Sequence, residues 1–285
     1  MCVLPDERPA SLSTGRQGSS AATPEPPPSA AAASAALRAY GEELASAGAA
    51  QTGGAFTDDP AADALIKSSP EAFLIGVLFT QGIPAERAWA GPYLLATRLG
   101  HFDLERIASE PESVAAAVAE PPALHRFVRT LPGWIVSAAR RITDEYGGDA
   151  SAIWPAGTPL ETVVGRLRAF DGIGPKKAVM ASEILVRHFG VALTGVECGS
   201  VAYDVHVRRV FLRAGLITED TPEAVRDAAV RACPEAPGVL DLASWLVGRE
   251  YCHPGDPRCD ACRLGAVCLR LTERHAPGVG VRRPG

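Results

Sequence analysis

The sequence predicts an all-α protein, and three observations predict it. Helix-start signals recur along the chain, with Ser or Thr before a proline at 69–70, 158–159 and 221–222. Apolar residues return at helical spacing after these starts. Strand-like alternation is scarce, and "VALTGV" at 191–196 is its best, short example.

Taken in order, residues 1–32 contain "TPEPPPSAAAASAA" and few periodic apolar residues, so they read as a disordered extension. A helical segment around "AALRAYGEELASAG" follows within 33–66. Ser69-Pro70-Glu71 combines an N-cap with a first-turn proline and opens a helix through "FLIGVLFTQ". Thr158-Pro159-Leu160-Glu161 has the form of a capping box, and Leu160, Val164, Leu167 and Phe170 then share one helix face. The next helix starts after "DGIG" and stops near Gly190, after "ASEILVRHF". Thr221-Pro222 opens a further helix, and "HAPGVGVRRPG" at the end is a tail. There are no internal repeats.

At 285 residues, 47% apolar and 21% charged, the chain has room for one large core or two domains. It contains no run of about 18 apolar residues, so no membrane-spanning helix is expected. "MCVLPDERPASLSTGRQ" lacks the pattern of a secretory signal, so a cytoplasmic location is the expectation. The net charge of −5 argues weakly against a nucleic-acid partner. Residues 124–213, however, carry 12 Lys/Arg against 8 Asp/Glu, while the remainder carries 16 against 25. The middle of the chain can therefore present a locally basic surface, or simply scattered solvated arginines.

Two stretches carry chemistry. "AFDGIGPKKAVMASEILV" reads as a helix–hairpin–helix: Gly172 and Gly174 bracket a tight turn, and Pro175 suits the first turn of the second helix. Free N–H groups at such a helix start attract a phosphate, although a GxG between helices is also an ordinary turn. Lys176 stands at the positive end of the helix dipole beside Lys177; both effects disfavour its charged form and suit an amine nucleophile. The plainer reading is a solvated lysine. In "AYDVHVRRVF", Asp204 precedes a helix bearing Arg208 and Arg209, where a plain N-cap is the default reading.

The second stretch is "YCHPGDPRCDACRLGAVCLR", with Cys252, Cys259, Cys262 and Cys268. In a reducing compartment such a cluster more often binds metal than forms disulfides. An iron–sulfur cluster and a tetrahedral zinc site both suit four thiols, but zinc sites more often pair two CxxC knuckles and only one is present. Cys2, Cys198 and Cys233 read as free thiols.

The order GIGPK, YDVH and C-x6-C-x2-C-x5-C resembles the endonuclease III family of base-excision DNA glycosylases, over roughly residues 65–270. The resemblance implies two helical domains with a DNA cleft between them. Residues 67–191 would form a helical barrel with the hairpin; 192–272 would form a cluster domain joined by 33–66; 273–285 would be a flexible tail. It also implies a [4Fe–4S] cluster on the four cysteines, pinning a loop whose Arg258 and Arg263 reach DNA phosphates.

In that family's mechanism Lys176 would be the Schiff-base lysine of a glycosylase and abasic-site lyase, and Asp204 the essential aspartate. Gly172, Gly174, Lys177 and Arg208 would contact DNA. Gln81 matches a glutamine that enters the duplex, and Trp134 stands where a wedge residue is expected, or is a core tryptophan. The implied partner is double-stranded DNA with a damaged base or an abasic site, bound by a monomer at the nucleoid; oxidised pyrimidines are the default substrate.

Two departures limit the transfer. "GVALTGVECGSVAY" before Asp204 is longer than the family's usual connection. "QGIPAERAWAGPYLLATRLG" looks more like an actinobacterial-type branch of helix–hairpin–helix glycosylases. Two competing readings follow: a monofunctional glycosylase in which Asp204 activates water, and a non-catalytic iron–sulfur DNA-binding protein.

Overall fold

The computed structural model describes residues 28–49 and 54–271. Cys2, most of the expected N-terminal extension and the tail lie outside the described residues.

Twelve α-helices and four short 3-10 turns make up the regular structure among them, with no strand longer than an isolated bridge. The helices are α1 (Ala30–Ser46), α2 (Pro60–Ser68), α3 (Pro70–Phe79), α4 (Ala85–Leu99), α5 (Leu104–Ser109) and α6 (Pro111–Ala119). After them come α7 (Leu131–Tyr146), α8 (Leu160–Arg168), α9 (Pro175–Arg187), α10 (Val205–Arg213), α11 (Pro222–Ala232) and α12 (Leu240–Glu250). None is long and apolar enough to cross a membrane. The all-α expectation holds.

Local chemistry sets the starts. Ser69 caps α3 by accepting from the Ala72 amide, and Thr221 caps α11 by accepting from the Ala224 amide. Two expectations need correction. The capping box at Thr158 does not form: α8 begins at Leu160, behind Pro159, with no side-chain cap. The backbone of this segment pairs instead with 194. The Leu160 amide donates to the Thr194 carbonyl (2.8 Å) and the Thr194 amide donates to that of Thr158 (3.1 Å). That bridge is all that "VALTGV" contributes of a strand. Secondly, α1 begins at Ala30, capped by Ser29, so helix already occupies the last residues of the expected disordered extension.

Two hydrophobic clusters organise the packing. The first runs from Phe56 to Ala202 and includes α2 to α9. At its centre, Ala72 to Phe79 of α3 are all buried, as expected of a helix apolar on every side. Trp89 stacks on Phe73 there (ring centroids 5.7 Å apart). The second cluster joins α1 to α10, α11 and α12. Although α1 comes first in the chain, its partner is α12, and Gly41 lies directly against the backbone carbonyl of Val239.

A methyl group at 41 would meet that carbonyl, which a rigid 3-10 turn cannot withdraw. Gly41→Ala is expected to lower stability by about 1–3 kcal/mol through overpacking, read as a drop in the denaturation midpoint with unchanged denaturant dependence.

Candidate active site

The hairpin is built by α8, the turn Ala169–Gly174 and α9. Gly172 adopts φ +80°, the left-handed region, and a Cβ there would stand 2.6 Å from the Trp134 ring. Both constraints demand glycine. Gly174 has φ −82° and faces open space, so its role is that of an extended N-cap for α9. Pro175 then occupies the first turn and leaves Lys176 at the helix start.

Lys176 reaches across to Asp204, and the two form an ion pair. The lysine side chain is 48% exposed and the aspartate 6%. Asp204 also caps α10, with Oδ1 accepting from the His206 amide at 2.7 Å while Oδ2 takes the lysine. The helix-cap reading is realised on one oxygen, and the other is left to pair with Lys176. The longer connection before Asp204 does not keep it from Lys176.

Lys177 is not turned outward toward a phosphate, as the sequence suggested. It is 6% exposed, its Nζ donates to the Leu78 carbonyl at 2.8 Å, and it lies 5.6 Å from the Trp134 ring centroid. Burial, with Lys176 beside it, pushes its pKa down to about 8. Lys177 ties α9 to the end of α3, next to Gln81.

Gln81 is exposed just beyond α3 and shares an open groove with Trp134, the Gly172–Gly174 turn and both lysines. Trp134 is half-buried, with one side against Gly172. The structure thus brings Gln81, Trp134, Gly172, Gly174 and Lys176 together at one surface. The arginines are placed differently. Arg208 is paired with Asp220, which also accepts from the Tyr203 hydroxyl. Arg209 is turned inward onto the carbonyls of Gly248 and Cys252. Arg263 grips Glu43 with both nitrogens (2.8 and 3.1 Å) over the Tyr40 ring, so it docks the cysteine loop on α1. Arg258 is exposed at the loop surface.

Lys176 and Asp204 border a cavity of about 330 Å³ between the two hydrophobic clusters, at the small end of ligand sites. Its other polar lining includes Glu183 of α9 and Asp241 of α12, neither of which the sequence reading singled out. Burial pushes both carboxyls up, Asp241 to about 7, with Glu183 and Asp204 adding to the effect on Asp241. A signal was available: each is a lone acid inside an apolar run, "VMASEILV" and "VLDLASWLV".

Cys252, Cys259, Cys262 and Cys268 are all free thiols and line one small cavity beside Val210 and Val247. The Leu264 and Arg270 amides point at the Cys262 and Cys268 sulfurs (3.4 Å each), and Arg213 at that of Cys252 (3.5 Å). Among the described residues, no three His, Cys, Asp or Glu side chains are grouped closely enough to hold one metal ion.

No protein-family model matches the chain. It is 28% identical over 135 residues to endonuclease III of Thermotoga maritima, covering 47% of this chain and 54% of that protein. It is also 28% identical over 146 residues to endonuclease III-like protein 1 of Bos taurus, covering 50% and 41%. The chain is endonuclease III-like. It spans about half the length of the relatives it matches. In fold it is similar to a thermostable thymine-DNA glycosylase, with a TM-score of 0.54 at 15% identity, over 82% of this chain and 95% of that one.

The geometry makes two predictions. Gly172→Ala is expected to cost about 2 kcal/mol or more from left-handed strain and the Trp134 contact, while Gly174→Ala costs well under 1 kcal/mol; thermal unfolding of the pair reads the difference. For Lys177, the folded pKa lies below the unfolded one, so between about pH 8 and 10.5 the unfolded state holds the extra proton and stability rises with pH. Lys177→Met is expected to flatten that rise relative to the parent chain in denaturant titrations across the window.

Proposed function

We propose that this endonuclease III-like chain is a DNA glycosylase with abasic-site lyase activity, using Lys176 and Asp204. The observation that carries the reading is their ion pair at the edge of the cavity, with the glycine turn of the hairpin beside it. A base buried in a duplex cannot be reached, so the nucleotide must leave the stack and enter a pocket. Gln81 and Trp134 stand at the groove where the gap would be filled, and the hairpin turn would take a phosphate on its amides.

As a free amine, Lys176 attacks C1′ of the sugar; the N-glycosidic bond breaks, and its electron pair leaves with the base, which takes up a proton. Opening of the sugar ring gives an iminium on Lys176. Loss of a C2′ proton then expels the 3′ phosphate, and water releases the lysine. Asp204, fixed by the His206 amide, takes the lysine proton and stabilises positive charge developing on the sugar. Double-stranded DNA bearing a damaged base or an abasic site would be the partner of a monomer. No partner protein is needed for this chemistry.

Four thiols around one cavity, with N–H groups aimed at three of the sulfurs, suit a [4Fe–4S] cluster on Cys252, Cys259, Cys262 and Cys268. The four line one cavity, and their spacing with a single CxxC suits a cluster better than a zinc site built on two such knuckles. The cluster would hold the loop in shape; the loop is already anchored by Arg209 on the Cys252 carbonyl, by Arg213 and by Arg263.

Borohydride added to the protein with an abasic-site duplex is expected to trap a covalent complex that Lys176→Ala abolishes. Base release that survives Lys176→Ala with no trapping would instead assign water activation to Asp204. Purified protein is expected to carry about four irons and four acid-labile sulfides per chain, lost in Cys262→Ser; one zinc and no visible absorbance would replace the cluster.

A further inference from the structure

We propose that Trp245 is the wall on which the extruded base stacks, so that the cavity beside Lys176 takes planar, ring-unsaturated bases in preference to ring-saturated ones. The inference rests on the glycosylase reading above and deepens it to a class of substrate.

Two spaces meet at Lys176. The open groove that holds Gln81 and Trp134 and the cavity bordered by Lys176 and Asp204 share Thr80, Gly82 and Lys176 in their walls. A nucleotide leaving the stack beside Gln81 therefore has the cavity directly before it, with Lys176 at the junction. Aliphatic side chains, among them Ile83, Met180 and Leu242, supply most of the apolar lining. Among the described residues that line it, Trp245 of α12 is the only Phe, Tyr or Trp.

The indole is held from outside the cavity. The Arg249 guanidinium lies over the ring, 4.6 Å from its centroid, and Trp245 lines the cavity whereas Arg249 does not. Arg249 is fixed in turn by ion pairs to Glu86 (2.8 Å) and Glu250 (2.6 Å). Glu86 stands at the start of α4, in the first hydrophobic cluster, and Arg249 near the end of α12, in the second. The indole is thus tied to both sides of the cavity. His206, two residues beyond Asp204, packs against it at a steep angle (centroids 5.9 Å apart, planes at 70°). Held by these neighbours, the ring is set in place before a base arrives, and little ordering is left for binding to impose.

Stacking reads the shape of a ring rather than its hydrogen-bonding edge, because every base offers a flat π face. Saturation of the C5–C6 bond of a pyrimidine puckers the ring and shortens its π system, while the pairing edge stays the same. An aromatic wall loses contact with such a ring, whereas an aliphatic wall touches both forms alike. Among oxidised pyrimidines the distinction separates 5-hydroxyuracil, which is planar, from thymine glycol, which is not.

Uracil and 5,6-dihydrouracil isolate the ring, since they differ only at the C5–C6 bond. Single-turnover base release is measured from duplexes bearing either one. 5-Hydroxyuracil and 8-oxoguanine serve as further planar bases and thymine glycol as a further saturated one. The parent protein, Trp245→Leu and Trp245→Phe are compared. Borohydride trapping at an abasic site, which carries no base to stack, is followed in each.

Trp245→Leu is expected to slow release of the planar bases that the parent removes by about tenfold or more, and of saturated ones by less than about threefold. Trapping is expected to be unchanged, and Trp245→Phe, which keeps a smaller ring, is expected to fall between parent and Trp245→Leu. If Trp245→Leu fails to fold, Trp245→Phe decides by the same comparison: a larger loss on planar bases is expected, and an equal loss overturns the inference. Trapping by the parent with release of saturated bases alone, or of none of these bases, overturns it too. A folded Trp245→Leu that slows both classes equally, or loses trapping along with release, assigns Trp245 a structural role and also overturns it. Neither trapping nor release by the parent overturns the glycosylase reading and takes this one with it.

Discussion

The ion pair between Lys176 and Asp204 is the interaction on which the rest of the site depends. It joins the two hydrophobic clusters at a place where each contributes a helix start: α9 from the first and α10 from the second. The aspartate cannot move, because its other oxygen caps α10. The lysine side chain, by contrast, is nearly half exposed. A buried, helix-capping acid facing an accessible amine is the asymmetry that the proposed nucleophile and its proton acceptor would require. The exposure of Lys176 also keeps the pair's worth to stability below that of a fully buried bridge.

Around this pair the protein arranges charge in layers. Lys177 sits behind Lys176 with its amine on the Leu78 carbonyl, adding positive potential while locking α9 to α3. Glu183 and Asp241 add acid on the cavity side, where burial discourages both from ionising. The cation of Arg187 on one oxygen of Glu183 partly opposes that effect. Arg209 and Arg213 of α10 hold the cysteine loop by the carbonyls of Cys252, His253 and Pro254, so the same helix that Asp204 caps also supports the thiol cavity. Disturbance of the loop can therefore reach the site through α10 without any contact between the two.

Much of this was legible in the sequence because it rests on local rules. Proline-led helix starts, the GIG turn and the cysteine spacing each reflect chemistry contained within a few residues. The all-helical fold follows from the first of these. What could not be read were directions. Lys176 and Lys177 are adjacent, and only packing against Leu78 and Trp134 settles that the second turns inward. Arg208 and Arg263 looked like phosphate contacts, but their partners Asp220 and Glu43 lie 12 and 220 residues away in sequence. The Thr158 capping box failed for the same reason: Thr194 competes for the backbone from a distance. Glu183 and Asp241 left a local trace, a charge inside an apolar run, but their meeting depends on the assembled clusters.

The central claim is that Lys176 and Asp204 act as one unit. A double-mutant cycle on single-turnover base release tests it most directly, using Lys176→Ala, Asp204→Asn and the double variant with a lesion that the parent protein releases. The account predicts that each single change slows release by about 10²-fold or more and that the double variant is no slower than the worse single. Effects that multiply in the double variant would contradict it, because they would mean that the two residues contribute independently.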